Sequence, residues 1–202
     1  MSITSVYSPV VICPLRCADV VRDVETNIPR GFFSLASPGA PLAVLAVALN
    51  PGQPSPLEGS LYAGKTPKLI IRAHLEHGRK TFLGPAGTKF HSRLVAWLAD
   101  ALQTSPEQVF QVAAYTNLVK CTTVGNRLPG AQTRATCSET HLYSEIKSWR
   151  PKVIVALGSE VTKALGRMGI AHEYLPHPSH RERANYHQPY VAKLRDRLKN
   201  AI

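Results

Sequence analysis

The sequence predicts an α/β fold: a single three-layer domain, residues 1–202, with a central, mostly parallel four-stranded sheet flanked by helices. Three observations carry this. Apolar runs alternate with segments of helical period from residue 42 onward, the pattern of strands and helices layered on one core. Leu42-Ala-Val-Leu-Ala-Val-Ala-Leu49 is apolar without alternation, as in a parallel strand covered on both faces. Three polar residues, Asn50, Asn117 and His177, close predicted strands, the place where open parallel sheets bind ligands. A length of 202 residues with 44% hydrophobic content suits one domain with a full core.

Residues 1–40 read as an irregular arm, broken by Pro9, Pro14, Pro29 and Pro38, with a short helix over Arg16–Glu25. The first strand, 42–49, stops at Asn50-Pro51-Gly52. Residues 53–65 are loop-like, with Pro54, Pro56, Gly59 and Gly64. Pro67–His77 is a helix. Thr88–Leu102 is a stronger helix, because Phe90, Leu94, Trp97, Leu98 and Ala101 share one face. Gln108–Leu118 is the second strand. A polar loop over 122–134 precedes a helix over Cys137–Trp149. Lys152–Gly158 is the third strand and runs into a helix over Ser159–Met168. Ala171–Leu175 is a short fourth strand before His177-Pro178-Ser179. A basic helix over Gln188–Asn200 ends the fold.

The net charge of +11 favours a polyanionic partner, bound with strong salt dependence. The longest apolar run, Pro41–Leu49, is too short to span a bilayer. No charged segment followed by an apolar stretch and a cleavage site opens the sequence. A soluble, cytoplasmic monomer without membrane contact is expected.

Four cysteines, Cys13, Cys17, Cys121 and Cys137, are all the sequence has. A close pair, Cys13 and Cys17, and a distant second pair, Cys121 and Cys137, suit a metal centre that clamps the arm to a distant loop. Four thiolates serve Zn²⁺ or a cubane iron–sulfur cluster. Two disulfides and four buried thiols are the other readings, and a disulfide set has three pairings.

Leu49-Asn-Pro-Gly52, Phe82-Leu-Gly-Pro-Ala-Gly87, Thr116-Asn-Leu-Val-Lys-Cys121, Pro151–Gly158 and His177-Pro-Ser179 follow one another in this order. Together they resemble the uracil-DNA glycosylase superfamily over roughly residues 10–185. The cysteines resemble those of its iron–sulfur branch, in which four such residues hold a [4Fe-4S] cluster; zinc is the alternative. The spacing Cys13-x3-Cys17 departs from the Cys-x2-Cys of that branch. Leu49 stands where the branch has a glutamate, and Asn50 is similar to the mismatch-type and single-strand-selective branches.

The resemblance implies a monofunctional glycosylase that flips out uracil or a related pyrimidine and leaves an abasic site. Excision of a bulkier base, or DNA binding without catalysis, is the alternative. His177 is the implied donor to the departing base. Asn50 is the implied water positioner, helped by another group such as Glu58 because an amide is no base. Asn117 is the implied reader, its amide matching the O4 acceptor and N3–H donor of uracil. Leu49 and Gln53 belong to the base pocket, with Phe82 or Tyr62 stacking on the base and Phe82 preferred, a choice that makes residues 60–80 an insertion beside the pocket. Lys120, Arg127, Ser179, His180, Arg181 and Arg183 are the implied DNA contacts, Arg181 and His180 nearest the gap left by the flipped base. No histidine lies between Cys121 and Cys137, which sets the chain apart from a covalently trapping relative.

Overall fold

A computed structural model describes residues 3–23, 26–37, 39–180 and 185–200. The middle strand of the central sheet, β3 (Val44–Ala48), is buried at every residue. It lies between β4 (Ala113–Asn117) and β6 (Val153–Leu157), parallel to both. A short β7 (Glu173–Leu175) pairs parallel with β6. These are the four parallel strands expected from sequence. A fifth strand goes beyond that expectation: β2 (Phe32–Ser34) adds antiparallel to β4, giving the order β2-β4-β3-β6-β7. Phe32-Phe33-Ser34 is too short to show a period, but all three residues are buried.

The arm also differs from expectation. Ile3–Val11 forms helix α1, burying Val6, Tyr7, Val10 and Val11. The helix expected over Arg16–Glu25 is absent among the described residues. Val20–Val21 is instead extended (β1) and pairs antiparallel with β5 (Thr122–Thr123). The main-chain bonds of this pairing lay the arm on the loop after Cys121.

Helices cover both faces. On one, α1, α3 (Pro67–Phe82, following a short α2, Pro56–Ser60) and α8 (Ser159–Arg167) pack with Phe32, Leu45, Val47 and Trp149. On the other, α4 (Lys89–Leu102) and the C-terminal helix (Gln188–Lys199) pack with Val44, Ala46, Phe110 and Val155. Two apolar faces on one sheet are what a non-alternating strand such as β3 requires. The expected strand over Gln108–Leu118 starts late, because Val109–Val112 closes a helical turn (α5) before β4 begins. Residues 131–149 are helical as α6 (Ala131–Cys137) and α7 (Tyr143–Trp149), joined by a π turn over Ser138–Leu142. No helix among the described residues is long and apolar enough to cross a membrane.

Candidate active site at the strand ends

The carboxyl ends of β3, β4 and β7 open on one cleft of about 570 Å³. Asn50, Asn117 and His177 all line it, although they are up to 127 positions apart in sequence. The parallel register makes this arrangement, since strands running the same way deliver their last residues to the same side.

Asn117 ends β4 and is fully buried. The Tyr115 hydroxyl donates to its Oδ1 at 3.1 Å. Its Nδ2 donates to the Gly31 carbonyl at 3.2 Å. These two bonds fix which end of the amide is which. They leave one N–H and one lone pair for a ligand in the cleft. Gly31 has a φ of +85°, and a Cβ there would collide with the Asn117 amide nitrogen. A residue without a side chain is thus what lets the amide sit where it does.

His177 follows β7 and is half-buried. The Ser179 N–H donates to its Nδ1 at 3.3 Å, which leaves the ring proton on Nε2. Burial, and then the neighbouring His180, hold its pKa below the ordinary histidine value. The ring is therefore neutral at pH 7 and a hydrogen-bond donor. Gly158, at the end of β6 with φ +90°, has its α-carbon hydrogens against His177, and a Cβ would meet that of His177 at 3.3 Å. Arg93 of α4 donates to the carbonyls of Pro178 and His180 at 2.9 and 3.0 Å, pinning the loop that carries the imidazole.

Asn50 donates through Nδ2 to the Pro51 carbonyl at 3.2 Å and to Thr123 Oγ1 at 3.3 Å. No hydrogen bond among the described residues takes its Oδ1, so that oxygen is available to orient water. Gln53, Phe82 and Ser179 also line the cleft. Phe82 stacks on Phe33 at 5.0 Å and meets Tyr115 at 5.2 Å. Phe90 adds a second aromatic wall, 5.4 Å from the His177 ring. Its helical spacing marks it in the sequence as a helix-face residue only.

Other expectations change. Tyr62 is fully buried and does not line the cleft; its hydroxyl is engaged by Glu58 and His74 behind the wall. Leu49 packs against the core and is absent from the cleft lining. Lys120 is not a surface cation: it is completely buried, and its ammonium lies 2.6 Å from Glu145 Oε2. It is bound also by Thr116. A charge so enclosed needs its partner inside the protein, and Lys120 has no face for DNA. Arg127 and His180 are exposed. Arg181 and Arg183 lie outside the described residues. Arg30, Glu58, His74, His77 and His91 all line the cleft. Of these, the sequence singles out only Glu58.

Of the cysteines, Cys13, Cys121 and Cys137 are buried and Cys17 is half-buried, and none forms a disulfide. Burial is the largest influence raising the Cys17, Cys121 and Cys137 pKa values, and each of these thiols is raised further by others of the four. All four thus lie within electrostatic reach of one another. The Lys120 N–H donates to Cys137 Sγ at 3.3 Å. No group of three or more His, Cys, Asp or Glu among the described residues has the geometry of a metal site.

Comparison with curated proteins gave no match. The family model of the uracil DNA glycosylase superfamily matches residues 38–199, from just before β3 to the end of the C-terminal helix. Every residue of the cleft's strand ends falls inside that span, and the chain belongs to the uracil DNA glycosylase superfamily.

Proposed function

We propose that the protein is a monofunctional DNA glycosylase that takes uracil or a related modified pyrimidine out of the duplex and hydrolyses its glycosidic bond. One observation carries this reading: the Asn117 amide and the His177 imidazole, each fixed by bonds from its own surroundings, line the same cleft. A flipped base between them has its edge read by the spare N–H and lone pair of Asn117. Cytosine reverses the donor and acceptor, leaving buried groups unpaired. As the bond to C1′ breaks, negative charge gathers on the base, and a neutral Nε2–H of His177 is a preorganised donor to it. Asn50 holds the water. Phe82 and Phe90 supply apolar walls. No lysine lines the cleft among the described residues, which supports hydrolysis without a Schiff base. Arg127, Ser179 and His180 are the proposed backbone contacts, with Arg181 and Arg183 as the continuation of that segment.

A second reading has a specific support. Helix α3 contributes His74, His77, Gly78, Thr81 and Phe82 to the cleft, so the segment read as an insertion builds one side of the pocket. Such a wall suits a base bulkier than uracil.

In donor type and number the four cysteines match what a [4Fe-4S] cluster requires, with zinc as the alternative. Cys13 and Cys17 would hold it from the arm, and Cys121 and Cys137 from the loop after β4. When bound, it would supply a structural clamp for the 122–136 loop. The β1–β5 pairing and the hydrogen bonds from Gly130 and Thr133 to Asp19 already join the same two segments. A brown protein absorbing near 400 nm would support iron; a colourless anaerobic preparation with one zinc per chain would replace it.

The test is excision from DNA carrying a panel of modified bases, followed by alkali. Strand breaks at uracil or a related pyrimidine that disappear in His177→Ala support the reading. Tight binding without breaks at any base makes the protein a binder.

A further inference from the structure

In the cleft wall a chain of polar groups runs from Glu58 to the main chain of β2. Glu58 Oε1 accepts from Arg30 Nε at 2.8 Å and lies 3.0 Å from the Tyr62 hydroxyl. That hydroxyl is 2.9 Å from His74 Nδ1, and His74 Nε2 is 2.9 Å from the Phe32 carbonyl. Tyr62, His74 and Arg30 are buried, and Arg30, Glu58 and His74 line the cleft.

The protons along this chain fall one short. A carbonyl only accepts, so the ring proton of a neutral His74 lies on Nε2 and Nδ1 is bare. Tyr62 has one proton. Its oxygen stands between two acceptors, the bare Nδ1 and the Glu58 carboxylate. Three contacts at hydrogen-bond distance therefore share two protons. One proton on Glu58 Oε1 satisfies all three: Glu58 donates to Tyr62, Tyr62 to His74, and His74 to Phe32. Burial holds His74 down to about 4, so the imidazole does not carry that proton at neutral pH.

Resting on the glycosylase reading, we propose that Glu58 accepts the proton of the attacking water, and that Tyr62 and His74 form the relay that stabilises it there. The water oxygen bonds to C1′. The C1′–N bond breaks and its electron pair leaves with the base, whose charge His177 stabilises. One water proton passes to the Glu58 carboxylate and later returns to solvent. Glu58 lines the cleft, and no hydrogen bond among the described residues takes its Oε2. Arg30 ties the two halves together, donating to Glu58 and, through Nη2, to the Gly52 carbonyl of the turn that carries Asn50. Asn50 orients the water and Glu58 is the base that an amide cannot be. The charged and titratable groups facing the relay are Arg30 from the arm, His77 on α3 and His91 on α4.

The experiment measures single-turnover excision against pH, and DNA affinity, in the full-length protein. Glu58→Gln is expected to slow excision by about 10²-fold or more with DNA affinity within a few-fold. Glu58→Asp, which keeps the ion pair with Arg30, should recover part of the rate and guards against misfolding of the glutamine variant. Tyr62→Phe keeps the packing and removes the relay; it should displace the acidic limb of the rate profile while DNA affinity stays within a few-fold of the wild type. Wild-type rates in Glu58→Gln overturn the role of Glu58 while leaving the glycosylase reading intact. An unmoved rate profile in Tyr62→Phe overturns the relay. No excision of any base by the wild type removes the glycosylase reading and this role with it.

Discussion

Gly31→Ala is a small change with a calculable effect at the proposed base reader. The backbone at Gly31 has φ +85°, and a Cβ there collides with the Asn117 side-chain nitrogen. An L-residue held in the left-handed region costs about 1–2 kcal/mol. Displacing the amide also breaks its bond to the Gly31 carbonyl, and a buried polar group left unpaired costs about 1–3 kcal/mol. The sum is a destabilisation of roughly 2–5 kcal/mol. Gly64→Ala is the control, because Gly64 has φ +66° but nothing within 4 Å of the point where a Cβ would stand; it should lose only the backbone part, about 1–2 kcal/mol. Denaturant unfolding of the two variants gives the difference. Single-turnover excision at a temperature where both are folded should show Gly31→Ala slowed about 10²-fold or more, the usual loss for a misplaced preorganised bond, and Gly64→Ala unchanged. A Gly31→Ala protein as stable as the control and fully selective would refute the claim that Asn117 is held in this pose to read the base.

Lys120→Met leaves Glu145 buried without its partner and should destabilise by about 3–5 kcal/mol, while the salt dependence of DNA binding stays as in the wild type. Arg127→Ala, at an exposed cation, should do the reverse: unchanged stability, and a salt slope shallower by about one. Phe82→Leu should weaken binding of a flipped base more than of undamaged DNA, by about 1–3 kcal/mol if the ring stacks, measured by competition with an abasic duplex. His141 predicts a pH effect. It is buried with neither ring nitrogen bonded among the described residues, and burial, with Lys120 and Arg22 nearby, lowers its pKa from 6.5 to about 4. The unfolded ring takes a proton first on acidification. Its contribution is thus complete above 6.5 and declines until about 4, a loss of about 3 kcal/mol. His141→Leu should flatten that part of the stability curve in urea melts.

What the sequence disclosed follows the range of the interactions involved. Strands β3, β4 and β6 were legible because each is buried at every residue, and the site motifs because they follow strand ends. β2 escaped because Phe32-Phe33-Ser34 is shorter than any period. The arm misled because Arg16–Glu25 has helical composition, whereas pairing of Val20–Val21 with Thr122–Thr123 decides its conformation. Lys120 reads as surface because a lysine is usually solvated; its partner Glu145 is 25 residues away and invisible to local pattern. Tyr62 has the spacing of a stacking aromatic, yet its hydroxyl is drawn inward by Glu58 and His74. The whole Arg30–Glu58–Tyr62–His74 chain joins segments that no motif links, so it emerges only from the folded molecule.

The most direct test of hydrolysis at the shared cleft is excision in ¹⁸O-labelled water, with mass analysis of both products. Unlabelled free uracil or related base, one ¹⁸O on the abasic sugar, and loss of both products together in His177→Ala is the predicted result. Release of no base, or release that His177→Ala leaves at the wild-type rate, would contradict it.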